Sequence, residues 1–307
     1  MIDSVSIYYP DGGTLKPECI AALEKPSARV CDDWSLTESS KRGTDGRTSK
    51  PFHLTHSATG LTVCGADRIP NKFTVSLPRL HRPDNSQLLR SQSELDEALT
   101  KAHAIAAQVA EFRPRDAHFT RVDITTYVAV APYGLLPLFE KRKHPGFHKL
   151  PKCYPGESLT WGTSGARLVF YDKRAEQKNG NDVRTRIELQ LHGRRLCDRF
   201  QVKEGDCLRV FTLHRAYQVL REFLLEFPAV AVGPDYHQDT LLAWAMSKGL
   251  TAPDGRHLLD WRNAGVRPDT ARKTRERVGA AVLGVTGFDW AALLPAEPTE
   301  QQLVTMT

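Results

Sequence analysis

Alternation of apolar and polar positions marks the strands of this chain. Over residues 3–9, Val5, Ile7 and Tyr9 stand opposite Ser4, Ser6 and Tyr8, and the run stops at Pro10-Asp11-Gly12-Gly13, a strong turn sequence. Shorter strands are predicted at 60–65 and 71–80. The three best candidates are 118–130, 166–172 and 183–191, rich in β-branched and aromatic residues with period two. Over 93–112 the period changes: Leu95, Leu99, Ala102, Ile105, Ala106 and Val109 recur at helical spacing behind a serine cap with acids in the first turn, which predicts a helix lying on the sheet. Residues 32–50 lack apolar periodicity and read as an exposed connection or a poorly packed hairpin. Residues 131–158 are punctuated by proline and glycine and read as a flexible basic loop. Beyond about residue 205 the pattern becomes helical at 212–227, 238–249 and 267–285. The expectation is an α+β fold: a sheet-based part over 1–204, with a central antiparallel sheet and flanking helices, then a helical, partly basic region over 205–307.

Composition narrows the function classes. A chain of 307 residues that is 40% hydrophobic can build a real core, and a formal charge of +6 with a pI near 9.0 favours an anionic partner such as nucleic acid. The six cysteines have neither C-x-x-C pairing nor a histidine at zinc-finger spacing, so neither a zinc module nor a disulfide scaffold is indicated, and reduced cytosolic thiols are expected. The N-terminus lacks an apolar signal core and no run approaches a membrane span, so a soluble cytoplasmic protein with no membrane partner is expected.

Three strands carry chemistry on one face. In 165–177 Arg167, Val169, Tyr171 and Lys173 share a face opposite Leu168, Phe170 and Asp172, which delivers a phenol between cations. Arg121, Asp123 and Thr125 share a face of the 118–130 strand, as do Arg184, Arg186, Glu188 and Gln190 of the 183–191 strand. If these strands are close in one sheet, Tyr171, Asp123 and Glu188 project to the same side. One reading is a solvated face of Arg/Asp and Arg/Glu pairs. The other is a phosphoryl-transfer site, with the carboxylates holding a divalent metal and Tyr171 as nucleophile. A phenol ordinarily titrates near pH 10, so Lys173, Arg167 and the metal would favour its ionised form. His53 and His56 read as surface or partly packed histidines with His56 held as a minor metal-site candidate, Glu176 as an aid to the site or an exposed charge, and Trp161 and Trp261 as core residues before base-stacking ones.

In order and spacing, "FTRVDITTYV", "SLTWGTSGARLVFYDKRAEQ" and "VRTRIELQL" resemble the rolling-circle replication initiators of filamentous phages and related plasmids, the gene-two/gene-ten type. Those proteins carry an R-x-D strand, a T-W-x-x-x-S segment leading into a strand that ends in Tyr-x-Lys, and an R-x-E strand. The opening "MIDSVSIYYP", the "PFHLTHSATGLTV" segment and the closing "DTARKTRERVGAAVLGVTGFDWAAL" are also similar to the family. The resemblance implies a site-specific, metal-dependent enzyme that nicks one strand of a double-stranded origin, becomes joined to the 5′ phosphate, leaves a 3′ hydroxyl as primer, and later rejoins the displaced strand. By motif position Tyr171 matches the nucleophile, with Lys173 beside it, and Asp123 and Glu188 match the acidic positions, with Mg2+ or Mn2+ as the implied cofactor. No His-x-His pair, the metal ligand set of many other nickases, is present.

Such a protein would need salt-sensitive phosphate contacts. Candidates are Arg121, Arg167 and Arg186 on the strands, Lys141, Arg142 and Lys143 in the basic loop, and Arg272, Lys273 and Arg275 near the C-terminus, with Arg184, Arg194, Arg195, Arg267 and Arg277 nearby. The implied partners are double-stranded origin DNA, single-stranded DNA, and a host helicase and polymerase in a bacterial cytoplasm. The alternatives are a non-catalytic origin binder or repressor on the same scaffold, and a metal nuclease that uses water in place of tyrosine.

Overall fold

The computed structural model describes residues 2–24, 33–38, 41–42, 48–81, 88–128, 132–140, 142–147, 149–154, 157–172, 184–203, 205–227 and 290–294. Strands β1 (Ile2–Tyr8), β3 (Trp34–Glu38), β6 (Pro51–His56), β7 (Thr62–Ala66), β8 (Ile69–Ser76), β10 (His118–Val128), β11 (Lys152–Tyr154), β12 (Ser158–Gly162), β13 (Ala166–Asp172) and β14 (Thr185–His192) form a sheet in the order β11-β12-β13-β14-β10-β1-β8-β7-β6-β3. Two further pairs stand apart from it: β2 (Gly13–Leu15) with β9 (Ala110–Phe112), and β4 (Lys41–Arg42) with β5 (Thr48–Ser49). The helices are α1 (Pro17–Glu24), α2 (Leu77–His81), α3 (Gln92–Ala106), α4 (Pro132–Phe139), α5 (Gly193–Arg199), α6 (Leu213–Leu225) and α7 (Trp290–Leu293). The fold is α+β on a large antiparallel sheet, and none of the described helices is long and apolar enough to cross a membrane. The chain divides into two compact units, the first drawn from 1–125, 190–219 and 297–307 and the second from 126–189 and 220–296.

In the first unit β1 pairs antiparallel with both β8 and β10, setting Val5 against Val75 and Val122, and Ile7 against Phe73 and Phe119. These side chains are buried, as the two-residue period requires when one face of a sheet is covered. The cover is α3, whose Leu95, Ala98, Ala102 and Ala106 are buried and whose His103 stands edge-on to Phe73 at 5.2 Å. Ser91 caps α3 by accepting from the Glu94 N–H at 3.2 Å, and the Glu94 carboxylate reaches back to the Arg90 N–H at 2.6 Å. Tyr9 stacks on Phe112 at 4.3 Å, and its hydroxyl lies 3.1 Å from His103 Nδ1. Burial raises the Tyr9 phenol above its ordinary range and lowers His103, so both groups favour their neutral forms in this contact.

In the second unit β11, β12 and β13 form an antiparallel meander, with Leu159 opposite Phe170 and Trp161 opposite Leu168. These four side chains are fully buried, and Phe139 of α4, Phe227 and Trp290 of α7 close over them with ring centroids 4.9–6.3 Å apart. Trp161 is thus a core residue, its indole N–H donating to the Arg142 carbonyl at 3.0 Å.

Several local expectations are corrected. The helix ends at Ala106 instead of reaching 112, because the chain turns at 107–109 and re-emerges as β9 to pair with β2. Residues 51–56 form a strand: Phe52 and Leu54 are buried on one face, with His53 exposed on the other. Residues 34–38 are a strand paired with it, anchored by buried Trp34. Residues 77–81 leave the strand predicted for 71–80 and form a helical turn, which tolerates Pro78 in its first positions. The stretch 131–158 is not a loop throughout, since it contains α4, β11 and a fully buried His144, whose Nε2 donates to the Phe223 carbonyl at 2.8 Å and whose Nδ1 accepts from the Gly146 N–H at 2.9 Å. Eight mostly apolar residues beginning with Pro132 suit a buried helix whose first position needs no N–H donor.

Candidate active site

Parity along β13 follows from its pairing with β12: Leu168 and Phe170 are buried, whereas Val169 and Tyr171 are half-buried and Arg167 is exposed on the opposite face. Tyr171 is therefore presented away from the aromatic core. Its hydroxyl donates to Glu188 Oε2 at 3.3 Å, and this contact places the middle of β14 beside the end of β13. Arg186, two residues before Glu188 and on the same face of β14, lies with Nη2 3.7 Å from the same carboxylate oxygen. Its guanidinium carbon is 5.6 Å from the centre of the Tyr171 ring and 5.8 Å from that of Tyr127, while that of Arg184 lies 4.5 Å from the centre of the Tyr127 ring. Arg186 is 1% exposed and Glu188 8%, so this ion pair works in a medium where charge is poorly screened. The second unit thus gathers two phenols, a carboxylate and two guanidinium groups.

Asp123 lies in the first unit and is 1% exposed. Arg121 binds both of its oxygens, Nε to Oδ1 at 2.8 Å and Nη2 to Oδ2 at 2.5 Å, a bidentate arrangement within one strand face. His192, at the end of β14, is held below its ordinary value chiefly by burial and further by the charges of Arg121 and Lys72. His56 is buried against Trp34 at 5.2 Å, and its Nδ1 lies 2.9 Å from the Thr59 hydroxyl, which locks the 57–60 turn. His53 is exposed, its Nδ1 3.2 Å from Cys64 Sγ. Among the described residues no group of three or more His, Cys, Asp or Glu side chains is placed to hold a metal ion.

The cationic candidates divide. Arg167 and Lys143 are exposed, Arg142 is half-buried, and Arg186 is interior. Arg194 and Arg195 are exposed on α5, Arg194 3.9 Å from Asp198. Lys173, Glu176, Lys141, Trp261, Arg267, Arg272, Lys273, Arg275 and Arg277 lie outside the described residues.

Two aromatic residues were missed. Tyr127 has the parity of Arg121, Asp123 and Thr125, so continuing the two-residue count through "DITTYV" would have found it. Tyr154 needed register: it is opposite Ser158, which is opposite Tyr171, so Tyr154, Ser158 and Tyr171 form one cross-strand row on one face. Tyr154 is 56% exposed.

The chain is similar to a rolling circle replication initiator protein. That solved structure, from Geobacillus stearothermophilus, shares 17% identity over 74% of this chain and 84% of that one, with a TM-score of 0.41. No family model and no curated protein matches the chain. The chemistry of the site therefore rests on this chain's own residues.

Proposed function

We propose that this protein is a rolling-circle replication initiator that nicks and rejoins one strand of origin DNA through a phosphotyrosine formed on Tyr171. The observation that carries this reading is the hydrogen bond from the Tyr171 hydroxyl to Glu188 Oε2 at 3.3 Å, with Arg186 beside both groups. A carboxylate accepting the phenolic hydrogen bond orients the oxygen and is positioned to take its proton. Tyr171 Oη then bonds to the scissile phosphorus, and the P–O bond to the 3′ oxygen breaks with its electron pair. The 3′ oxygen leaves as a hydroxyl after protonation, and the phosphodiester energy is kept in the tyrosyl linkage. Attack by a 3′ hydroxyl on that linkage reverses the sequence, closes the strand and returns the phenol. Arg186 pairs with Glu188 and presents positive charge where phosphate charge grows.

The donor chemistry fits a hard divalent cation. Glu188 is an anionic oxygen donor beside the nucleophile, and Mg2+ commonly takes one or two carboxylates and completes its shell with phosphate oxygens and water. Glu188 is the residue that would hold it; Asp123, the other carboxylate of the sequence reading, has both oxygens bound by Arg121 in the first unit. Bound Mg2+ or Mn2+ would supply Lewis-acid neutralisation of the phosphate.

The test is covalent attachment. Incubation with supercoiled origin DNA and Mg2+ or Mn2+ is expected to give nicked circles bearing protein, with the DNA-linked peptide containing Tyr171, and Tyr171→Phe is expected to abolish the linkage. A linked peptide containing Tyr154 would overturn the assignment, and scission without any linkage would point to water as nucleophile.

A further inference from the structure

Near the end of β10, Tyr127 is half-buried between the fully buried Thr126 and Val128, so the two-residue alternation turns its ring to the face opposite theirs. Within the sheet β14 lies between β10 and β13. Arg186 of β14 is therefore within reach of a phenol ring from each neighbouring strand: its guanidinium carbon is 5.8 Å from the centre of the Tyr127 ring and 5.6 Å from that of Tyr171. Arg184, two residues earlier and of the same parity, brings a second guanidinium carbon to 4.5 Å from the Tyr127 ring centre.

A guanidinium on a flexible stem needs more than charge to hold it in one place. Arg186 Nη2 lies 3.7 Å from Glu188 Oε2, a separation at which a buried pair attracts strongly but sets little direction, since hydrogen bonds fall between about 2.7 and 3.2 Å. An aromatic ring supplies direction, because a cation is drawn toward its negative face. That attraction grows where water is excluded, and Arg186 is 1% exposed. The Tyr127 ring serves two like charges at once, and its electron-rich face offsets the repulsion between Arg184 and Arg186. The reacting phenol is one step away: Arg186 lies against the Tyr171 ring and beside the Glu188 oxygen that accepts the Tyr171 hydroxyl.

We propose that Tyr127 is a positioning residue, whose ring holds the Arg186 guanidinium against Glu188 and the Tyr171 ring and so sets the geometry in which the phenol reacts. The inference rests on the proposed chemistry at Tyr171 for the reaction it serves. It assigns the role to the ring of Tyr127 and not to its hydroxyl.

Tyr127→Leu and Tyr127→Phe would be compared in the full-length protein by single-turnover linkage to origin DNA, counted per folded molecule. Small misplacements at a reacting centre are costly, so Tyr127→Leu is expected to slow linkage about tenfold with the half-saturating DNA concentration unchanged. Tyr127→Phe keeps the ring and is expected to stay within about twofold of the wild type. A residue that only packs would lower the urea midpoint in Tyr127→Leu and leave the rate per folded molecule alone. A second readout needs no activity. With isotope-labelled arginine, the Arg186 Nε–H resonance, assigned by its loss in Arg186→Lys, is expected to move in Tyr127→Leu and to return to its wild-type position in Tyr127→Phe. In the wild type that proton is expected to show cross-relaxation with the Tyr127 ring protons, which tests the contact even if Tyr127→Leu folds poorly. An unchanged rate in folded Tyr127→Leu, a Tyr127→Phe as slow as Tyr127→Leu, or absent cross-relaxation overturns the proposal. The two readings fail separately. An Arg186 resonance that moves in Tyr127→Leu, in a protein that never becomes linked to DNA, would remove the Tyr171 chemistry and leave the hold of Tyr127 on Arg186 standing, whereas linkage at Tyr171 with an unmoved Arg186 resonance would do the reverse.

Discussion

Glu188 has two partners of opposite consequence. The Tyr171 hydroxyl donates to its Oε2, and Arg186 stands 3.7 Å from the same atom. Replacing the carboxylate by an amide keeps the shape and removes the proton acceptor, so Glu188→Gln is expected to slow tyrosyl linkage about 10²- to 10⁴-fold while DNA affinity is kept, as measured by single-turnover attachment and by anisotropy. Arg186 is interior, and truncating one member of a buried ion pair costs roughly 3–5 kcal/mol, so Arg186→Met is expected to lower the urea midpoint markedly. At this scale much was legible. Strand parity and the spacing of the motifs put Tyr171 and Glu188 forward as candidates, because side-chain direction in a strand is fixed by counting in twos. The engagement of Asp123 by Arg121 was one of two readings left open: two residues on one strand face can pair or point apart, and rotamers decide.

The part-buried Tyr9–His103 contact links residue chemistry to pH. Burial lowers His103 from its ordinary value of 6.5, so the unfolded chain binds the proton more tightly than the native one. Native stability is therefore complete above about pH 6.5 and declines as the pH falls below it. Urea unfolding at pH 7.5 and pH 5.5 is expected to show a larger loss for the wild type than for His103→Gln. An equal loss in the two proteins would place the acid sensitivity elsewhere.

Elements carry the next constraints. At the irregular step between Cys64 and Gly65, a Cβ on Gly65 would lie 2.1 Å from the Ile69 carbonyl oxygen and 2.7 Å from the Phe52 ring. Backbone cannot yield as a flexible side chain does, so Gly65→Ala is expected to cost about 1–3 kcal/mol in chemical denaturation. Ser91→Ala, which removes the α3 cap, is expected to cost about 1 kcal/mol. Strong alternation made β1, β10, β13 and β14 readable to within a few residues. Strand β6 was lost because proline and histidine obscured the Phe52–Leu54 alternation, and α4 because its apolar run lies among turn residues.

Across each unit, aromatic packing ties distant segments together. Trp290 of α7 lies 5.5 Å from Phe139 and 5.7 Å from Phe170, so a residue near the end of the chain completes the core behind β13. Trp290→Ala is expected to cost about 3–5 kcal/mol and to reduce tyrosyl linkage through loss of folded protein, with specific activity per folded molecule retained. Chelation of divalent cations is expected to stop nicking and linkage, because the proposed chemistry at Tyr171 uses a carboxylate oxygen that would hold the cation.

By itself the sequence determined an α+β class, the directions of the side chains along the best strands, and the chemical types of the groups offered: a phenol, acids and cations. Those follow from local rules, since residue volume, β-branching and two-residue alternation act within a single segment. Only the tertiary structure decided that the Tyr171 phenol meets Glu188, 17 positions away, and that Tyr154 shares its row. Each of these depends on which strands pair and in what register, a choice made by the burial of whole faces and by no single segment.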